Sequence, residues 1–91
     1  MKIIKSNRTL VIYGVNECQP CKQLLKTVNK ANIDGLNVIK RNLNEYVEKA
    51  NEHDISSLPF SVLKDTEGAV IDKLVGNVSV EQFREFVGQE A

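Results

Sequence analysis

The 91-residue sequence has no tryptophan, one histidine, two prolines and two cysteines. Each scarcity excludes something. Two cysteines and one distant histidine, His53, do not supply the four ligands of a structural zinc site, leaving only a site shared across a dimer. Twelve basic residues balance twelve acidic ones. No excess of positive charge therefore favours nucleic acid or an anionic membrane surface as a partner. No apolar run approaches the ~20 residues that span a bilayer. The stretch from Met1 to Arg8 carries positive charge, but the apolar run after it is short and lacks a small-residue cleavage site, so it reads poorly as a secretion signal. These absences point to the cytosol, where thiols are kept reduced.

What is present is ordinary for a soluble globular protein: 42% hydrophobic and 26% charged residues, in a length that suits one domain over residues 1–91. Both cysteines fall in one short motif, Cys18-Gln19-Pro20-Cys21. A run of β-formers, Thr9 to Val15, leads into it, and a helical pattern, Lys22 to Val28, leads out. On the first turn of a helix, side chains three apart share a face, so the two thiols are placed to close a disulfide. The first thiol also lies over unpaired N–H groups at the positive end of the helix dipole, which favours the nucleophilic thiolate. A C-x-x-C beside a βα pattern in a cytosolic chain reads as redox chemistry. Haem attachment requires histidine after the second cysteine, and Lys22 stands there.

Residues 9–15 read as a strand, apolar on both faces and so central in a sheet. The first helix runs from Gln19 or Cys21 to Ile33, with Leu24, Leu25, Val28 and Ala31 facing the core and Lys22, Lys26 and Lys30 facing water; Asp34-Gly35 stops it. Leu36 to Leu43 reads as an edge strand carrying Lys40 and Arg41. Asn44 opens a second helix through about His53. After a break at Ser56-Ser57-Leu58-Pro59, Phe60–Lys64 and Ala69–Val75 read as a hairpin about the turn Asp65 to Gly68. Ser79-Val80-Glu81-Gln82 is a capping box, with Val78 and Phe83 as its hydrophobic staple, and Phe83, Phe86 and Val87 face inward on the last helix. The order β-α-β-α-β-β-α gives an α/β fold with a central four-stranded mixed sheet flanked by helices on both faces.

That order, with C-x-x-C after the first strand and a lone proline before the hairpin, resembles the thioredoxin fold from Thr9 to Gln89. Three stretches carry the resemblance: Thr9–Tyr13 leading to Cys18–Lys22, Ala50–Pro59, and Asp72–Gly76 followed by the capped helix. The departures are specific. Glu17 and Gln19 flank Cys18 where thioredoxins usually have Trp and Gly. Ile12 stands where they place a buried acid that helps deprotonate the second cysteine, and Phe60 follows the proline where Thr is common. The length is closer to glutaredoxins, whose glutathione-gripping residues are faintly echoed in Gly76-Asn77-Val78-Ser79.

The resemblance implies a dithiol–disulfide oxidoreductase that carries electrons to protein disulfides, with Cys18 attacking and Cys21 resolving. No cofactor is expected beyond the Cys18–Cys21 couple, with glutathione as a possible co-substrate. Pro20 fits early in a helix. Lys22 adds a favourable field for the Cys18 thiolate, and Glu17 opposes it. Leu58–Pro59 is implied to be a cis peptide packed against the disulfide, with the Leu58 backbone pairing to an extended substrate segment. Gly76 serves a turn, with substrate contact as its second reading. His53 reads as an exposed helix-end residue, Tyr13 and Phe60 as packing, and Glu45, Glu48 and Glu52 as surface charge. The protein is expected to be monomeric, with ribonucleotide reductase among its possible targets and a reductase or glutathione as electron donor. Two alternatives stand: glutathione-dependent reduction as in glutaredoxins, and a redox-inactive module of the same fold that binds a partner through the Pro59 face.

Overall fold

The computed structural model describes residues 7–43 and 57–89. Its elements are β1 (Thr9–Gly14), α1 (Gln19–Ala31), β2 (Asn37–Asn42), β3 (Phe60–Lys64), β4 (Val70–Val75) and α2 (Val80–Gly88). The second helix expected from Asn44 to His53 lies outside the described residues, as do His53, Glu45, Glu48 and Glu52.

β1 is buried from Leu10 to Tyr13, which requires cover on both faces and neighbours on both edges. It has them: the sheet order is β2-β1-β3-β4. β2 runs parallel to β1, from Thr9↔Asn37 to Gly14↔Asn42, and β3 runs antiparallel, from Thr9↔Lys64 to Tyr13↔Phe60. Among the described residues β2 is an edge of the sheet, as its charges suggest, with Asn37, Val38 and Lys40 exposed. β3 and β4 form the expected hairpin, with a register shift between Leu63 and Lys64, and β4 begins at Val70. Asp65 Oδ1 organises the turn by accepting from the N–H groups of Glu67 and Ala69, each at 2.9 Å.

Alternation along β1 divides the core. Leu10 and Ile12 pack with Leu24 and Val28 of α1 and Phe83 and Phe86 of α2, so both described helices cover one face. Val11 and Tyr13 face the other way, with Phe60 and Val62. Ser61 is the buried polar residue of the described core; it pairs in register with Ile12, and its hydroxyl has no hydrogen-bond partner among the described residues.

α1 ends earlier than Asp34-Gly35 suggests. It stops at Ala31, and Asn32 takes the left-handed conformation (φ 47°, ψ 55°) with its N–H donating to Val28 O. Asparagine tolerates this region better than most residues, so it caps the helix before glycine is reached. Gly35, at φ 79°, serves the turn into β2 instead. Two arginines hold the orphan carbonyls of the helix C-termini. Arg84 Nη2 donates to Ala31 O at 3.1 Å, and Arg8 Nη1 donates to Val87 O at 2.6 Å and to Gln89 O.

The capping box at α2 is complete: Gln82 N–H donates to Ser79 Oγ, and Ser79 N–H donates to Gln82 Oε1, both at 3.1 Å. Ser79→Ala is expected to cost about 1 kcal/mol. In a denaturant titration this appears as a lower midpoint with an unchanged slope.

Candidate active site

β1 delivers the chain to the disulfide. After Gly14 a short turn follows, closed by Cys18 N–H donating to Val15 O at 3.2 Å, and Cys18 becomes the N-cap of α1 with extended backbone (φ −84°, ψ 108°). Its Sγ accepts from the Cys21 N–H at 3.1 Å. A serine or aspartate oxygen ordinarily fills this role; here sulfur does. No acidic residue lies in the first turn of α1, so the positive end of the helix is left to Cys18. Pro20 sits within that first turn, where its missing N–H costs nothing.

Cys18 and Cys21 are joined in a disulfide with Cα atoms 5.2 Å apart, inside the usual range for such bonds. The two sulfurs differ in access. Cys21 is buried, 8% exposed, while Cys18 is half-buried. Pro20 and Lys22 are exposed beside them.

The antiparallel register Tyr13↔Phe60 places Pro59 at the sheet end from which Gly14 leads to Cys18. The Leu58–Pro59 peptide is cis, and Pro59 is fully buried. Pro59 O accepts from Gly76 N–H at 2.8 Å. Gly76 has φ 82°, a conformation that favours glycine, so this residue ties the exit of β4 to the proline loop. The topology thus brings Cys18, Cys21, Leu58, Pro59 and Gly76 to one end of the sheet. Among the described residues, no group of three or more His, Cys, Asp or Glu is placed to hold a metal ion. No described helix is long and apolar enough to cross a membrane.

Two features of the site are absent from the reading of the sequence. Gly14 is the first. A Cβ there would lie 2.8 Å from Cys21 Sγ and 3.3 Å from Cys21 Cβ. The last residue of β1 must therefore be glycine for the helix to bring its second sulfur this close to the strand. A glycine closing a run of β-formers, Thr9 to Tyr13, is the signal that points to it. The second is a cavity of about 440 Å³ beside Cys21, walled by Ile12, Gly14 and Leu25 and bordered by Lys22 and Lys40.

No protein-family model matches the sequence, and no curated protein sequence matches it. Solved structures do match. A thioredoxin from Halobacterium salinarum, in a single-substitution mutant form, aligns at a TM-score of 0.78 and 20% identity over 90% of this chain and 73% of that one. Mitochondrial thioredoxin 3 from Saccharomyces cerevisiae, in its oxidised form, aligns at 0.73 and 21% identity over 90% and 77%. Thioredoxin-2 of the malaria parasite, described as a component of its protein secretion machinery, aligns at 0.79 and 15% identity over 97% and 87%. With the sheet order and the helix-capping disulfide, these likenesses define the class: the chain has the thioredoxin fold.

Gly14→Val is expected to destabilise the oxidised protein by about 1–3 kcal/mol, the usual cost of overpacking. The reduced protein should lose less, because Cys21 Sγ is then free to turn away. Thermal melts of both redox forms check this; equal losses would place the clash elsewhere.

Proposed function

We propose that the chain is a dithiol–disulfide oxidoreductase that reduces protein disulfides. One observation carries the reading: Cys18 caps α1 with its sulfur, accepts the Cys21 N–H, and is bonded to Cys21. In the reduced protein the same N–H and the helix dipole favour the Cys18 thiolate, lowering its pKa below the free value of ~8.5.

The thiolate attacks one sulfur of a substrate disulfide. A bond forms from Cys18 to that sulfur, the substrate S–S bond breaks, and the other substrate sulfur leaves as a thiolate. Cys21, as thiolate, then attacks Cys18 Sγ; the mixed disulfide breaks, the second substrate thiolate leaves, and the Cys18–Cys21 bond forms. Two electrons have passed to the substrate. A separate donor returns them. The cis Leu58–Pro59 loop, held by Gly76, gives an extended substrate segment backbone to pair with beside the sulfurs. A monomer in the cytosol suits this chemistry.

Insulin reduction with dithiothreitol as donor tests the activity. The protein is expected to accelerate insulin precipitation well beyond dithiothreitol alone, with no effect of added chelator. Cys18→Ser should abolish the acceleration, and Cys21→Ser should accumulate a mixed disulfide detectable by mass. An intact protein no faster than dithiothreitol would sink the proposal and leave a binding module. Equilibration with glutathione buffers then identifies the donor. A potential near ~−270 mV indicates a reductase-fed reductant, and one near ~−200 mV indicates coupling to glutathione.

A further inference from the structure

Thr27 sits in the third turn of α1, half-buried, and its hydroxyl faces three acceptors. Gln23 O, one turn back on the same helix, lies at 3.3 Å. Val78 O and Asn77 Oδ1, in the segment between β4 and α2, lie at 3.2 Å and 3.5 Å. A hydroxyl has one proton to give. Threonine in a helix ordinarily turns it back to the carbonyl four residues earlier, which already accepts a helical N–H. Val78 lies outside every described helix and strand, and among the described residues Thr27 is the donor to its carbonyl. A part-buried carbonyl deprived of its donor costs more than a helical carbonyl that keeps one bond. The proton therefore belongs on Val78 O, and the bond joins α1 to the segment that follows β4.

That segment is fixed at its other end as well. Gly76 N–H donates to Pro59 O at 2.8 Å, and Phe60 pairs in register with Val75. Asn77, between the two anchors, is exposed, and Val75, just before them, is 51% exposed. An extended chain that pairs with the Leu58 backbone meets Val75 and Gly76 next, because the bond from Gly76 to Pro59 sets the two loops side by side. On the helix, Gln23 and Thr27 lie three and seven residues beyond Pro20, so all three share one face of α1. The segment after Gly76 meets that face at Thr27.

We propose that Thr27 is a specificity-determining residue for protein disulfides: its hydroxyl fastens the Gly76–Val78 segment to the helix that carries Cys18, so the backbone along which a substrate chain lies is already in place. A segment held at one end only must be ordered when substrate binds, and that ordering is subtracted from affinity. Thr27 lies roughly 13 Å along the helix axis from Cys18 and touches neither substrate nor sulfur, so it is a positioning residue. Losing its hydroxyl leaves the Cys18 cap and the Cys21 N–H as they are; binding weakens and the chemical step does not. The inference rests on the oxidoreductase reading.

The experiment uses the full chain with Thr27→Val, which keeps the shape and removes the donor, and with Thr27→Ser, which returns the donor. Insulin reduction with dithiothreitol as donor is measured against insulin concentration. Thr27→Val should raise KM about three- to tenfold, the size of one lost hydrogen bond, and change kcat less than about twofold. Thr27→Ser should bring KM back to that of the unaltered protein. Amide hydrogen exchange supplies a reading without turnover. In Thr27→Val, exchange at Gly76 should speed up by a larger factor than at Val11 of β1, whose buried position reports global opening. An unchanged KM, a fall in kcat at constant KM, a KM that Thr27→Ser does not restore, or equal factors at Gly76 and Val11 overturns the proposal. If the unaltered protein does not reduce insulin, the oxidoreductase reading fails and this use of Thr27 falls with it. If it does and Thr27→Val matches it, this inference fails alone.

Discussion

Four consecutive buried side chains, Leu10 to Tyr13, hold β1 between both sheet neighbours and both faces of the core. The candidate active site depends on where that strand ends. Burial on two faces leaves β1 no freedom to slide, because a one-residue slip would exchange Leu10 and Ile12 for Val11 and Tyr13 on every contact. Gly14 is thereby placed against Cys21, Cys18 at the start of α1, and Pro59 at the same sheet end through the antiparallel partner β3. The two sulfurs sit at the start of α1, just beyond the strand, and the rigidity that places them comes from β1.

The N-terminus of α1 joins stability to reactivity. A helix start needs acceptors for its orphan N–H groups, and an oxygen cap would satisfy them permanently. Sulfur at Cys18 satisfies the Cys21 N–H as well, but as an acceptor whose strength follows its charge. The cap is weak in the disulfide and strong in the thiolate. Helix formation and thiol ionisation therefore favour each other, and the absence of acid from the first turn removes the competitor for the same partial charge.

How much of this is legible in the sequence follows from how local each feature is. Periodicity and turn chemistry within a few residues identify β1, the C-x-x-C helix, the hairpin and the Ser79–Gln82 box, and the structure has all of them. The end of α1 is misread by two residues because Asn32 and Gly35 both favour left-handed backbone, and local chemistry does not rank them. Once α1 stops at Ala31, Ile33 and Leu36 pack against the core, and Arg84 from α2 reaches the last carbonyl. The Gly14–Cys21 contact and the Ile12–Lys40 register are harder still. Each joins residues on different elements, and no single-strand pattern shows which side chains a parallel pairing brings to one face.

Ile12 serves this fold as an apolar side chain in a way that an acid could not. Fully burying an isoleucine stabilises a fold by roughly 1.5–3 kcal/mol, whereas an unpaired buried carboxylate costs several. A small core gains from Ile12 what an acid at that position would take away. Cys21 lies beside this apolar strand, in a space that Ile12 and Leu25 wall and Lys22 and Lys40 border. Lysine suits that border because its ammonium stays hydrated while its stem covers apolar surface, and Lys40 is exposed there. The burial of the second sulfur therefore comes from the same packing that stabilises β1, whose buried run carries no charge up to Gly14.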